Sequence, residues 1–319
     1  MTQAVENLAE RIRSGEPRAI SRAITSIENH DPQAEPLLKE LFPFTGHACL
    51  IGVTGSPGTG KSSLVDRLAA HYRQQGKSVG IVAVDPTSPF SGGAILGDRI
   101  RMQGHATDAG IFIRSMATRG FLGGLARATS DVALLLDAAG KDIVLIETVG
   151  VGQDEIDIVK LADCTIVVLM PGLGDEVQAI KAGIMEIGDI FVINKADREG
   201  ADRFEQQLLA MLQLNPERDG WRPLVRRTVA TEDKGIVELA AAIEEFRSQS
   251  EAAGRRKSKT VERWRARLLE MIESRLMERV VSQSLGEQGL EDLAVEVAEH
   301  KRDPYSAVSE VLARAGLKP

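Results

Sequence analysis

The sequence predicts an α/β fold: a doubly wound, mostly parallel sheet with helical extensions at both ends. Two observations carry this. From residue 48 onward, short apolar runs alternate with amphipathic helical stretches. The runs are Ala48–Thr54, Val79–Val84, Ile111–Ile113, Ile143–Ile146, Thr165–Met170, Ile190–Ile193 and Leu224–Val229. Strand and helix taking turns in this way builds a parallel sheet with helices on its faces. Most of the runs also lack polar alternation, which is the pattern of a strand covered on both faces rather than one.

The extensions follow from a change of period. In residues 1–45, Leu8 and Ile12, then Ile20, Ile24 and Ile27, recur at three- and four-residue spacing with Arg and Glu between them, as on amphipathic helices. Pro32 and Pro36 interrupt this pattern before Leu37–Leu41. Residues 46–250 hold the strand–helix repeat. Residues 250–260 are polar and basic, with Arg255, Arg256, Lys257 and Lys259, and read as a linker or exposed loop. Beyond it Trp264, Leu268, Ile272, Leu276 and Val280 form an apolar stripe on one long helix, and two shorter helical segments follow near 290–301 and 304–315. Residues 251–319 therefore read as a helical extension for dimerisation or partner binding.

Composition removes several classes. The 319 residues are 43% hydrophobic and 27% charged, enough for a real core and unlike a disordered chain. No apolar run approaches the ~20 residues of a membrane span, and the charged N-terminus has no apolar signal region. A net charge of −7 argues against a protein held to nucleic acid by bulk electrostatics. Cys49 and Cys164 lie far apart inside apolar runs and read as buried thiols of a cytoplasmic protein.

Four segments carry chemistry. Gly55-Ser56-Pro57-Gly58-Thr59-Gly60-Lys61-Ser62 fits the G-x-x-x-x-G-K-[ST] phosphate loop between an apolar strand and an amphipathic helix, Ser63–Gln74. Glycines let backbone amides turn inward around a phosphate, and the helix N-terminus adds partial positive charge. Lys61 then reaches the β- and γ-phosphates and Ser62 ligates Mg²⁺, while Ser63 extends the nucleotide-binding run. Asn194-Lys195-Ala196-Asp197 follows the strand Ile190–Ile193. A carboxylate at Asp197 can accept from guanine N1–H and its exocyclic amine, a pairing adenine lacks. Asn194 can bond the N7 side of the base and the Lys195 stem can lie over the ring. Val229-Ala230-Thr231 follows the last apolar run and is placed to offer a backbone amide to guanine O6. Finally, the strand Ile143–Ile146 runs into Glu147, with Gly150 three residues on, whose amide can bond a γ-phosphate and so sense GTP against GDP.

Further acids and a loop complete the candidate set. Asp85 ends the second apolar run and Asp98 lies in Gly97-Asp98-Arg99, so both can reach an Mg²⁺ shell that also takes Ser62 and Glu147. Which acid positions the attacking water stays open. Asp175, Gln178 and Lys181 follow two glycines at helical spacing, as in a mobile loop beside the nucleotide. Val151, not Gln, follows Gly150, which implies slow intrinsic hydrolysis.

These segments, with VDPTSP (84–89), GDRIRM (97–102), ETVGVGQDE (147–155) and PGLGDEVQAIKAGI (171–184), resemble the MeaB/ArgK group of P-loop GTPases, over about residues 5–285. The resemblance implies a SIMIBI-class fold and a cytosolic homodimer. It also implies a chaperone whose GTP binding and hydrolysis gate adenosylcobalamin loading and reactivation of a cobalamin-dependent acyl-CoA mutase, first of all methylmalonyl-CoA mutase. A cobalamin adenosyltransferase is a further implied partner. GTP or GDP and Mg²⁺ are the implied ligands. Lys61, Asp98, Glu147 and Lys181 are the implied catalytic set, and Asp175, Gln178 and Lys181 the implied switch that couples to the mutase. Val229 stands where relatives often have Ser. Two alternatives are weaker. A nickel metallochaperone GTPase would cluster His or Cys, but His30, His47, His71, His105 and His300 are dispersed, and a kinase linked to amino-acid transport sits poorly with guanine-reading Asp197.

Overall fold

The computed structural model describes residues 2–85, 108–117, 124–148, 161–172, 186–214 and 220–317. Seven strands form one sheet: β1 (Cys49–Thr54), β2 (Val79–Asp85), β3 (Ile111–Ala117), β4 (Ile143–Glu147), β5 (Cys164–Leu169), β6 (Ile190–Asn194) and β7 (Leu224–Thr228). Their order is β3-β2-β4-β1-β5-β6-β7, and every pairing is parallel. β1 thus lies inside the sheet, with Val53 opposite Glu147 of β4 and Ile166 of β5. All residues of β1, β4, β5 and β6 are buried, whereas β7 at the edge is half exposed. Two-sided burial is why these runs lack polar alternation.

Helices cover both faces. On one, Ile51, Val53, Leu145, Ile166 and Val192 pack against α4 (Lys61–Gln74), through Leu64 and Leu68, and against residues of 236–252. On the other, Leu50, Val82, Val144 and Ile146 share a core with the three N-terminal helices α1 (Thr2–Arg13), α2 (Pro17–Glu28) and α3 (Ala34–Leu41) and with α5 (Gly124–Ala138). Val167, Leu169, Phe191 and Ile193 meet Phe204 and Leu208 of α6 (Ala201–Leu214). The N-terminal helices are fastened by charge as well as by packing. Arg114 of β3 pairs with Glu28 of α2, both largely buried. The buried Asp137 carboxylate accepts the amides of Gly46, His47 and Ala48 at 2.5, 3.2 and 2.9 Å, where the chain turns from α3 into β1. Cys49 and Cys164 are buried free thiols, and burial pushes Cys49 up to about 12, far from a reactive thiolate.

Residues up to Arg256 make one compact unit and Lys257–Pro319 a second. The polar stretch read as a linker is mostly helix. α7 (Ile236–Ala252) ends at a turn where Gly254 takes φ +67° and the Ala253 and Gly254 amides bond Gln249 O and Glu251 O. α8 (Arg255–Ser284) starts directly after it. Arg, Lys and Glu are good helix formers, so their polarity marked exposure rather than irregular backbone, and one left-handed glycine suffices for the break. The second unit continues with α9 (Gly286–Ala298) and α10 (Pro304–Arg314), the latter capped by Asp303 accepting from Ser306 N at 2.9 Å. On α8, Leu268, Ile272 and Leu276 are each about half exposed in the single chain, at 54%, 52% and 45%. No helix among the described residues is long and apolar enough to cross a membrane.

Candidate functional site

Four strand ends bring the site together. β1 stops at Thr54, β4 at Glu147, β6 at Asn194 and β7 at Thr228, all at the C-terminal edge of the sheet, where open α/β sheets place their ligands. Between β1 and α4 the chain must double back in six residues, and Gly55, Gly58 and Gly60 take φ of +139°, +81° and +92° to do so. Two of these glycines are also demanded by space. A Cβ on Gly55 would fall 2.1 Å from Val168 O, and one on Gly60 2.4 Å from Asn194 Nδ2.

The loop is braced from inside. Lys61 is 6% exposed, and its ammonium donates to Gly55 O at 2.7 Å and Ser56 O at 3.1 Å. Thr59 Oγ1 donates to Ser56 O at 2.9 Å. Ser62 Oγ donates to Glu147 Oε1 at 2.6 Å, so the hydroxyl in the first turn of α4 and the carboxylate ending β4 converge from different elements. These are hard oxygen donors at a helix N-terminus and fit Mg²⁺, which keeps most of its waters and needs one or two protein oxygens.

The Asn-Lys-Ala-Asp segment forms the opposite wall. Asn194 is 2% exposed, its Nδ2 donates to Thr59 O at 2.8 Å, and its Oδ1 accepts from Thr228 Oγ1 at 3.0 Å and Ala230 N at 3.1 Å. The side chain read as a base contact is therefore first a strut joining the phosphate loop to the turn after β7. Lys195, at φ +56°, lays its stem across the loop and donates to Gly58 O at 2.6 Å. Asp197 is exposed on the turn that follows. Residues 229–235 close on themselves, with Val229 N donating to Lys234 O at 3.0 Å. Gly235 sits at φ +78°, where a Cβ would fall 2.0 Å from Arg227 O. Glu232 beside it, and Asp197 more weakly, raise the Lys234 ammonium above its ordinary value. Thr231 is exposed, while the Ala230 amide, one of those expected to meet guanine O6, is turned to Asn194.

The structure thus brings together Gly55–Ser63 and Glu147 on one side, and Asn194, Lys195, Asp197 and Val229–Thr231 on the other. Asp85 ends β2, but its side chain lies outside the described residues, as do Asp98, Gly150, Asp175, Gln178 and Lys181. Sequence reasoning passed over the hydroxyls of Thr54, Thr148 and Thr228, each 3% exposed or less. Their signal was faint: a polar residue closing or following an otherwise apolar run.

A parallel sheet with a glycine-rich phosphate loop leaving an inner strand, braced by an Asn-Lys-x-Asp turn two strands away, defines a P-loop protein of the GTPase kind. The family model described as "Methylmalonyl Co-A mutase-associated GTPase MeaB" matches residues 20–285, and the chain belongs to that family. A putative GTPase of Pyrococcus abyssi is 50% identical over 311 residues, covering 97% of this chain and 96% of that protein. The GTPase ArgK of Escherichia coli is 38% identical over 253 residues, covering 77% and 76%. The mitochondrial methylmalonic aciduria type A homolog of Caenorhabditis elegans is 35% identical, covering 82% and 71%. Among solved structures, a LAO/AO transport system kinase superposes with a TM-score of 0.74 at 26% identity, over 98% of this chain and 97% of that one. The chain is accordingly a GTPase that binds guanine nucleotide.

Asn194→Ala removes the strut and leaves Thr59 O and Ala230 N without their partner. Losing two or three buried hydrogen bonds at ~1 kcal/mol or more each should weaken GDP binding by on the order of 10²-fold. Titration with a fluorescent GDP analogue measures this, and an unchanged Kd contradicts the strut.

Proposed function

We propose that this GTPase gates adenosylcobalamin loading of a cobalamin-dependent acyl-CoA mutase, most directly methylmalonyl-CoA mutase, and protects or reactivates that enzyme in the cytoplasm. The observation that carries the reading is the family match over 20–285, whose description names that mutase, joined to a braced guanine-nucleotide site. The name of the C. elegans relative supports it. A cobalamin adenosyltransferase is a fitting second partner, as the source of the cofactor being loaded.

In this reading Gly55–Ser63 cradle the phosphates and Lys61 exchanges its loop carbonyls for β- and γ-phosphate oxygens. Ser62 and Glu147, with Asp85 and Asp98, hold Mg²⁺. When bound there, the ion neutralises charge that builds on the transferring phosphoryl group. The Gly150 amide senses the γ-phosphate. Asp197 reads the guanine edge, Lys195 lies over its ring, and Val229–Thr231 close its O6 side. With Val151 after Gly150, unaided hydrolysis is slow. Asp175, Gln178 and Lys181 form the coupling loop, and Lys181 brings positive charge to the phosphates when the mutase is bound. The working form is a homodimer joined through 251–319.

Three outcomes test this. Adding purified methylmalonyl-CoA mutase should raise the GTPase rate, with a ceiling on the order of 10³. Lys181→Ala should keep basal turnover and lose most of that stimulation, and a rate indifferent to the mutase overturns the assignment. Asp197→Asn should lose GTP affinity and gain xanthosine nucleotides, whose base carries the complementary donor–acceptor change. Competition binding reads it, and equal ATP and GTP affinity in the parent contradicts guanine selection. For the dimer, burying Leu268, Ile272 and Leu276 is worth ~1.5–3 kcal/mol per side chain if complete. A chain ending at Arg256 should sediment as a monomer that still binds GTP, and a stable dimer from it rules α8 out.

A further inference from the structure

The last rung that joins β4 to β1 is not made by backbone alone. Glu147 pairs with Val53, and Thr148 continues the ladder by donating its amide to Val53 O at 3.0 Å. Its hydroxyl then donates to Thr54 Oγ1 at 3.0 Å, with Thr54 1% and Thr148 3% exposed. The two threonines are 94 residues apart, and each sits at a junction of the site. Thr54 directly precedes Gly55, whose carbonyl receives Lys61 and which Val168 O hems in. Thr148 directly follows Glu147, whose Oε1 accepts Ser62 Oγ at 2.6 Å. One buried hydroxyl pair therefore spans the roots of the two segments that carry the lysine and the acid.

A core position here calls for no hydroxyl. Val has nearly the shape of Thr, and a buried polar group is costly unless bonded. The amide bond to Val53 O fixes how far β4 extends. The hydroxyl bond adds a second attachment off the strand axis, fixing the rotation at which the chain leaves the sheet and hence the aim of the neighbouring carboxylate.

We propose that Thr148 is a positioning residue for GTP hydrolysis, acting through its hydroxyl bond to Thr54 to hold the Glu147 carboxylate in register with Ser62 and Lys61. The proposal rests on the assignment of Glu147 to the phosphate side of the site. It concerns the chemical step more than nucleotide capture, because the side-chain bonds of Asn194 and Lys195 run to the phosphate loop and to the end of β7 and the turn after it, none of them to β4.

The test is single-turnover GTP hydrolysis and GDP affinity on the full chain, for the parent, Thr148→Val, Thr148→Ser, Thr54→Val and the double valine variant. Thr148→Val and Thr54→Val should each slow hydrolysis about tenfold, the size of one neutral hydrogen bond expressed in the transition state. GDP affinity should stay within about twofold, Thr148→Ser should restore hydrolysis to within about twofold, and the double variant should be no slower than either single one, since one bond is lost in all three. Thr148→Val at the parental rate overturns the proposal. So does Thr148→Ser as slow as Thr148→Val, which would make the methyl group the cause, or a GDP affinity that falls in step with the rate. If Thr148→Val does not fold, Thr54→Val removes the same bond from the other strand. Glu147→Gln separates the two levels. A parental rate there removes the group Thr148 is said to hold and defeats the underlying assignment, whereas a slow Glu147→Gln beside a parental Thr148→Val defeats the hydroxyl pair alone.

Discussion

The nucleotide site depends on one carboxamide. Asn194 reaches the phosphate loop at Thr59 with its nitrogen and the turn after β7 with its oxygen, and it does so fully buried. Three stretches of chain that meet nowhere else in sequence are thereby set at fixed distances. Gly60 has to be glycine because this side chain passes so close to it. The phosphate end and the base end of the site are thus not independent pockets: the spacing between them is the length of an asparagine. Buried, fully engaged polar groups of this kind cost little when satisfied and much when one partner is lost, which makes the arrangement specific rather than merely stable.

Around that strut the sheet supplies rigidity. β1 lies between β4 and β5, covered on one face by α4 and α7 and on the other by α5 with the N-terminal helices. The glycine-rich loop therefore grows from the least deformable part of the molecule. Lys61, folded onto its own loop carbonyls, and Ser62, bonded to Glu147, are held by groups that a phosphate and a hydrated cation can replace one for one.

Much of this was legible in the sequence, for physical reasons. The apolar runs marked the five inner strands clearly because two-sided burial leaves no polar position to confuse the pattern. β3 is the instructive exception. Its apolar run stops at Ile113, yet the strand continues to Ala117, because Arg114 finds Glu28 on α2, a partner 86 residues away that no local window contains. The basic stretch after α7 misled in the opposite direction, since exposure and irregular backbone look alike in composition. In the site, the turn of the phosphate loop was legible from its glycines, because positive φ with close approach leaves Gly55 and Gly60 no substitute. The double duty of Asn194 and the Thr54–Thr148 pair were invisible. Threonine is an ordinary strand residue, and both arrangements exist only once strands distant in sequence lie side by side.

The inner position of β1 also bears on how the chain is made. β1 comes first of the seven described strands in chain order, and its hydrogen-bonding neighbours among them are β4 and β5. Cys49 pairs with Ile143, so a hexapeptide apolar up to its last residue has no neighbouring strand to join until about 94 further residues have been added. At the usual pace of translation that delay is roughly 5–20 s. Through most of it Asp137, which later clasps the amides leading into that strand, has yet to be added as well. Long-range parallel pairing is slow to reward the loop closure it demands. The topology that seats the phosphate loop in the firmest part of the finished protein is also the one that leaves its first strand waiting longest during synthesis.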